Sequence, residues 1–352
     1  MTAFALALAM AGCQGWRLRV GQFAYESGDY EMAAEYLSPV AESGDALAQV
    51  YVGMMYDYGR GVKADQALAV KWYTLAAVQG NAFAQYRLGG KYESGEGVER
   101  DFGEALHWYG QAAIQGDALA QTSLARLYEE GRGAEANAEM AARWYSVAAQ
   151  SGNADAQCRL AALYERGAGL PRNLEEAMRW RQRAASQGDG LAMAALAAHY
   201  AEGKGVERDV ERAISWYARA ARQGNLAAQY ELAEIYAKGK GVAADPDKGL
   251  EWRRTAAEQG YALAQIDLAR AYEDGHGVER DPAQAAKWLR RAAEQGNAFA
   301  QFRLGEMYAA GTGVERDRAQ ALAWFDRAGK NPQMRAARDS AREMRAEAGV
   351  GR

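Results

Sequence analysis

The chain has 352 residues and a formal charge of −4, with 49% apolar and 25% charged residues. That leaves ample material for a core and excludes a nucleic-acid binder relying on a global positive field. Five prolines against 39 glycines favour many helices separated by glycine turns.

Residues 1–12, MTAFALALAMAG, form a short apolar run ending in small residues before Cys13. Ala11-Gly12-Cys13 resembles the end of a bacterial lipoprotein signal, in which the cysteine is lipidated and the preceding peptide removed. Met10 stands where that signal customarily has Leu, and no Lys or Arg provides the basic start of a secretory signal. A start site placed too far downstream would account for the second departure. The competing reading is a short apolar helix packed on the first repeat. With Cys13 lipidated, Gln14 follows it, and the sorting habit of many Gram-negative lipoproteins then implies the periplasmic face of the outer membrane. With Cys13 unmodified, the chain is a cytoplasmic regulator. No other stretch approaches the ~20 apolar residues that span a bilayer.

Residues 13–43 follow as a predicted capping pair. Ala24-Tyr25-Glu26-Ser27-Gly28-Asp29-Tyr30, then Ala33-Ala34 and Tyr36-Leu37, resemble a tetratricopeptide pair with a short turn.

From residue 44 to 331 one step governs the chain. Trp72, Trp108, Trp144, Trp180, Trp216, Trp252, Trp288 and Trp324 are each 36 residues apart, as are Tyr56 to Tyr308 and the glycine pairs Gly59/Gly61 to Gly311/Gly313. Each unit reads as two helices. The first begins after Asp45, Asn81, Asp117, Asn153, Asp189, Asn225 or Asn297, side chains that cap helix N-termini. It carries one face of Ala84, Leu88 and Tyr92 at four-residue spacing and stops at Gly-x-Gly, where glycine takes the left-handed conformation. The second begins at Asp65, Asp101, Asn137, Asn173, Asp209, Asp245, Asp281 or Asp317, twice with proline next (Pro246, Pro282), the helical position where proline is best tolerated. Small residues (Ala84, Ala112, and Gly89 or Ala125) are expected to let helices approach closely, while Trp and Tyr fill the gaps. One pair cannot bury its apolar stripe alone, so the units must stack. Trp108→Ala is expected to cost roughly 3–5 kcal/mol. Residues 332–352 are charged and alanine-rich, consistent with a closing helix and tail.

Trp72-Tyr73, Ala76-Ala77, Gln79-Gly80-Asn81, Ala84-Gln85, Leu88-Gly89, Tyr92 and Gly95-x-Gly97-Val98 together resemble the Sel1-like repeat, a relative of the tetratricopeptide repeat. Met193 departs from the usual Gln, and Arg181, Arg253 and Leu289 depart from the tyrosine after Trp. The resemblance implies an all-α, right-handed α-solenoid of helix–turn–helix units serving as an assembly scaffold.

Candidate chemistry is sparse. Gly-x-Gly lacks the third glycine and preceding strand of a dinucleotide fingerprint. His107, His199 and His276 fall in three repeat phases and imply no shared ligand cluster. Glu99-Arg100-Asp101 and its copies sit where helix capping explains them. Cys13 and Cys158 form no disulfide framework; Cys158 reads as a small semi-buried side chain. No cofactor, metal or nucleic acid is implied, and the chain reads as a non-enzyme. Certain cysteine-rich relatives of the family bind or hydrolyse β-lactams or peptidoglycan precursors, but their repeats carry paired cysteines that this chain lacks.

The leading expectation is therefore an envelope-tethered adaptor, with exopolysaccharide export or envelope assembly as its setting and a protein or peptide as its partner. Positions that vary between repeats point to the surface: Phe83, Tyr86 and Arg87; Thr122 and Arg126; Tyr230, Glu231 and Glu234; Phe299, Phe302, Arg303 and Glu306. Their spacings of three and four place each set on one stripe of a first helix. In tetratricopeptide-like stacks that stripe lines the concave side, and aromatics and arginines dominate interface energetics.

Overall fold

The fold comes from a computed structural model that describes residues 2–350, and the side chains of residues 14–347. Among the described residues every regular element is a helix. Two units result. Met1–Ala184 holds α1 (Thr2–Ser27), α2 (Tyr30–Glu42), α3 (Ala46–Tyr58), α4 (Gln66–Val78), α5 (Ala82–Ser94), α6 (Phe102–Ile114), α7 (Ala118–Glu130), α8 (Ala138–Gln150), α9 (Ala154–Arg166) and α10 (Leu174–Ser186) as far as Ala184. Ala185–Arg352 holds α11 (Gly190–Glu202), α12 (Val210–Arg222), α13 (Leu226–Lys238), α14 (Pro246–Glu258), α15 (Ala262–Asp274), α16 (Pro282–Glu294), α17 (Ala298–Ala310), α18 (Arg318–Gly329) and α19 (Arg335–Val350). Within each unit helices pack on their sequence neighbours, giving an all-α solenoid. The lipidation expected at Cys13 falls on a side chain outside the described residues.

The caps stand where the sequence puts them. Asp45, Asn81 and Asp117 accept the backbone N–H three residues on at 2.8, 2.9 and 2.7 Å. The seventh repeat has Tyr261 at this position, and its first helix starts with no side-chain cap. At the Gly-x-Gly turn the two glycines do different work. Gly95, at φ +78°, ends α5. Gly97, at φ +77°, lies so close to the first turn of α4 that a Cβ would sit 2.3 Å from the Gln66 carbonyl oxygen. The turn of one repeat therefore rests on the start of the preceding second helix.

The invariant glutamine explains how the other turns stack. Gln49, Gln85 and Gln121 are buried, and each amide donates to the carbonyl eight residues earlier, on Ala41, Ala77 and Ala113, at 3.2, 3.0 and 3.0 Å. Such carbonyls at a helix C-terminus have no partner within their own helix. The glutamine closing the next helix then donates to it: Gln79 to Gln49 Oε1 at 2.8 Å and Gln115 to Gln85 Oε1 at 2.7 Å. The ladder breaks where Ser151 replaces that second glutamine, and the buried Gln121 Oε1 meets no donor among the described residues. Ser151→Gln should supply it and raise the unfolding free energy by about 1 kcal/mol in urea titrations. An unchanged or lowered midpoint would show that the amide does not bridge the gap.

Burial of the aromatics corrects one expectation. Trp108 is half-buried, and its indole N–H donates to Glu104 Oε2 at 3.1 Å. The fully enclosed ring is the next residue, Tyr109, as are Tyr73 and Tyr145. Gly89 and Gly53 are small because a Cβ there would lie 2.7 and 2.8 Å from the Tyr109 and Tyr73 rings. The larger packing loss on truncation accordingly belongs to Tyr109, not Trp108.

Candidate partner-binding face

In the first unit, side chains bridge successive first helices through carboxylates spaced at the repeat length. Asp57, Glu93 and Glu129 accept the hydroxyls of Tyr73, Tyr109 and Tyr145 at 3.1, 2.8 and 3.0 Å. Each also meets a cation from a later first helix. Arg87 pairs with Asp57, Arg126 lies 2.6 Å from Glu93 and Arg166 lies 2.8 Å from Glu129. Lys91, almost wholly buried, places its Nζ 2.5 Å from Asp57 Oδ1 and 3.0 Å from Glu96. Burial alone would raise the Asp57 carboxyl, but hydrogen bonds and charge from Lys91 and Arg87 outweigh it and hold it below the ordinary range. Burial pushes the tyrosine phenols up, so they remain donors to these carboxylates.

The variable residues are thus more occupied than their variability suggested. Arg87 and Arg126 are tied into these bridges, and Tyr86 stacks its ring 5.8 Å from Tyr109. Phe83 is exposed. Thr122 is a correction: it is only 7% exposed, and its hydroxyl donates to the Ala118 carbonyl at 2.7 Å, so it offers nothing to a partner. Val50 and Ile266, at the same repeat position, are also buried, whereas Tyr86, Tyr230 and Phe302 are half-buried there.

The second unit is more open. Tyr230 donates to Asp267 Oδ2 at 2.7 Å, Arg253 lies 3.0 Å from Glu234, and Lys238 also pairs with Glu234. Burial would raise Glu234, but Lys238 and Arg253 bring it below the carboxylate range. Glu231 goes the other way, lifted by burial and by Glu234 and Glu202 against the pull of Lys240. Arg303 reaches Glu306 at 2.8 Å and Glu273 at 3.1 Å, and Phe302 lies 5.7 Å from the Phe325 ring. Two adjoining hollows of about 410 and 420 Å³ lie along this face. The first includes Tyr230, Glu234 and Asp267; the second includes Phe299, Phe302 and Arg303. Exposed Arg270 lines both and forms no ion pair among the described residues.

The sequence reading missed Arg270 and Asp267, although the signal was there. Arg270 shares its repeat position with Arg126, Glu234 and Glu306, and Asp267 with Arg87, Glu231 and Arg303. Among the described residues no three His, Cys, Asp or Glu side chains gather as a metal site, and no helix is long and apolar enough to cross a membrane.

The Sel1 repeat family matches eight successive segments: 46–81, 82–117, 118–153, 154–189, 190–225, 226–261, 262–297 and 298–332. The chain belongs to the Sel1 repeat family. A Sel1 repeat protein from Oxalobacter formigenes is 33% identical over 88% of this chain and 89% of its own, with a TM-score of 0.70. The protective antigen c5321 of uropathogenic Escherichia coli is 34% identical over 96% of this chain and 81% of its own, with a TM-score of 0.63. No curated protein matches the chain. Sel1 repeats generally mediate protein–protein binding, and their solenoids typically serve as non-catalytic scaffolds. In Sel1 terms, the buried tyrosine, the paired glutamines and Gly-x-Gly hold the repeat together. The hollows around Arg270 are built mostly from positions the repeat leaves unspecified, together with Arg253 and Leu289, which replace the repeat's tyrosine.

Proposed function

We propose that this Sel1 repeat protein is an adaptor that holds a protein partner on the first-helix face of its second unit, and does so tethered to the cell envelope through a lipid at Cys13. The observation that carries the binding half is Arg270, an exposed guanidinium with no ion pair among the described residues, set between two hollows and flanked by the exposed Phe299 ring. An arginine beside an aromatic shelf is the combination that dominates interface energetics. Ala11-Gly12-Cys13 after an apolar run supports the anchor. The protective-antigen character of the Escherichia coli neighbour agrees with an envelope setting, where envelope assembly or exopolysaccharide export would be its work.

The binding test is crosslinking and affinity capture from the native envelope, with Arg270→Glu/Phe299→Ala beside the parent. Both side chains are exposed and outside the core, so partner capture should fall at least about tenfold at unchanged helicity and melting temperature. Arg87 and Arg303 are poorer choices because their ion pairs support the fold. Undiminished capture sends the search to another face. For the anchor, labelled fatty acid should enter the chain, and Cys13→Ala should abolish it; an unlabelled parent removes the tether.

A further inference from the structure

Where a first helix ends in a carboxylate at the Asp57 position, a donor 16 residues on usually answers it. Asp57, Glu93 and Glu129 accept the hydroxyls of Tyr73, Tyr109 and Tyr145 at 3.1, 2.8 and 3.0 Å, and Arg181 lies 2.8 Å from Glu165. Glu273 is the fifth carboxylate at this position, and the residue 16 further on is Leu289, which has nothing to donate. The other three repeats have alanine there (Ala201, Ala237 and Ala309) and make no such demand. The surroundings of Glu273 and Asp57 otherwise correspond. Arg303 reaches Glu273 from 30 residues on, as Arg87 reaches Asp57. Met307, however, replaces the Lys91 that also holds Asp57. Among the described residues the Glu273 carboxylate therefore accepts from Arg303 alone, at 3.1 and 3.2 Å, although an ionised carboxylate offers about four lone-pair sites.

The lost ring and the unanswered carboxylate meet in one place. Leu289 and Glu273 both line the hollow of about 420 Å³, with Ile266, Phe299 and Phe302. Ile266 and Leu289 are buried and Phe302 is half-buried, so apolar side chains back the hollow, while the Glu273 side chain is 23% exposed. Such a site suits an aromatic ring with a polar tip. Charge selects a neutral donor. A second cation at Glu273 would stand beside Arg303, and an anion would meet Glu273, Asp274 and Glu306, whereas a phenol adds its bond without charge. We propose that this hollow takes a tyrosine side chain of the partner, its ring against Leu289 and Phe302 and its hydroxyl donating to Glu273. The partner then supplies the bond that Tyr73 makes to Asp57 within the chain. The inference rests on the adaptor reading, whose face this is, and names the side chain that face holds.

The probes are N-acetyltyrosinamide and N-acetylphenylalaninamide, titrated into the full chain and followed by the methyl resonances of Ile266 and Leu289. The tyrosine amide should bind about tenfold more tightly, because the phenylalanine amide leaves the carboxylate unanswered. Glu273→Ala should equalise the two amides; Arg303 keeps Glu306 at 2.8 Å in that variant. Leu289→Tyr fills the hollow from within. Ala269 and Leu289 share a core 20 residues apart, as Ala125 and Tyr145 do, so the new ring has a seat. This variant should melt higher than the parent and bind the tyrosine amide at least about tenfold more weakly. Equal affinity of the parent for the two amides overturns the proposal, as does a tyrosine preference that survives Glu273→Ala. The adaptor reading fails separately. Partner capture lost in Arg270→Glu/Phe299→Ala but undiminished in Leu289→Tyr overturns the tyrosine and spares the adaptor. Selective amide binding with capture undiminished in every variant supports the phenol site and removes the adaptor from this face.

Discussion

Gly97→Ala should destabilise the first unit by about 2–5 kcal/mol. Two costs combine. The residue sits at φ +77°, where an L side chain is strained by about 1–2 kcal/mol. Its Cβ would also stand 2.3 Å from the Gln66 carbonyl oxygen and 2.4 Å from the carbonyl carbon. That neighbour is backbone in the first turn of the fourth helix and cannot rotate away, so overpacking adds a further 1–3 kcal/mol. Gly80→Ala separates the two costs, because Gly80 has φ +90° with nothing within 4 Å of a built Cβ. It should lose the backbone share alone. Urea unfolding followed by far-ultraviolet circular dichroism decides the matter; equal losses at both positions would refute the close-contact account.

Asp57→Asn should cost about 3 kcal/mol. Its carboxylate, 5% exposed, holds Arg87 and the Lys91 ammonium, whose side chain is 6% exposed. Removing one partner of a buried pair strands the other charge, which costs more than the pair contributed. Lys91 retains Glu96 at 3.0 Å and Gln66 Oε1 at 2.5 Å, which places the loss at the lower end of the range for such breaks. Lys91→Met added to Asp57→Asn should recover part of it. The pH dependence follows from the depressed Asp57 carboxyl. Its contribution is complete above the unfolded carboxylate value of about 3.9 and disappears as pH falls through the lower folded value. The gap between parent and Asp57→Asn should therefore be constant from neutral pH to about 5 and close below about 4. A gap that widens on acidification would contradict the assignment.

Much of the fold was legible because its determinants are local and recur. An Asp or Asn before nearly every repeat helix and a glycine after it state where the chain turns, and the 36-residue step states what stacks on what. What stayed hidden depends on contacts between helices. Gln85 was visible as a constant residue, but its carbonyl partner and its neighbour Gln115 emerge only when three helix ends meet. Trp108 and Tyr109 are adjacent and the tryptophan is the more constant position, and only the packing shows that the tyrosine is the enclosed one. At the candidate face the reading equated variable with exposed. That holds for Phe299, fails for Thr122, and passes over Arg270, a cation with no ion pair among the described residues.

The missing amide at Ser151 also bears on how the first unit comes apart. In a linear array each joint sets how far a local opening spreads before it is arrested. From Ala41 to Gln121 every turn is tied to the next through a shared glutamine, so strain entering there is passed along. Between Gln121 and Ser151 the tie is absent among the described residues, and the chain of bonds starts again at Gln157. Under tension or rising denaturant the unit should act as two springs in series with a soft joint between them, and slow amide exchange should step down there rather than decline evenly.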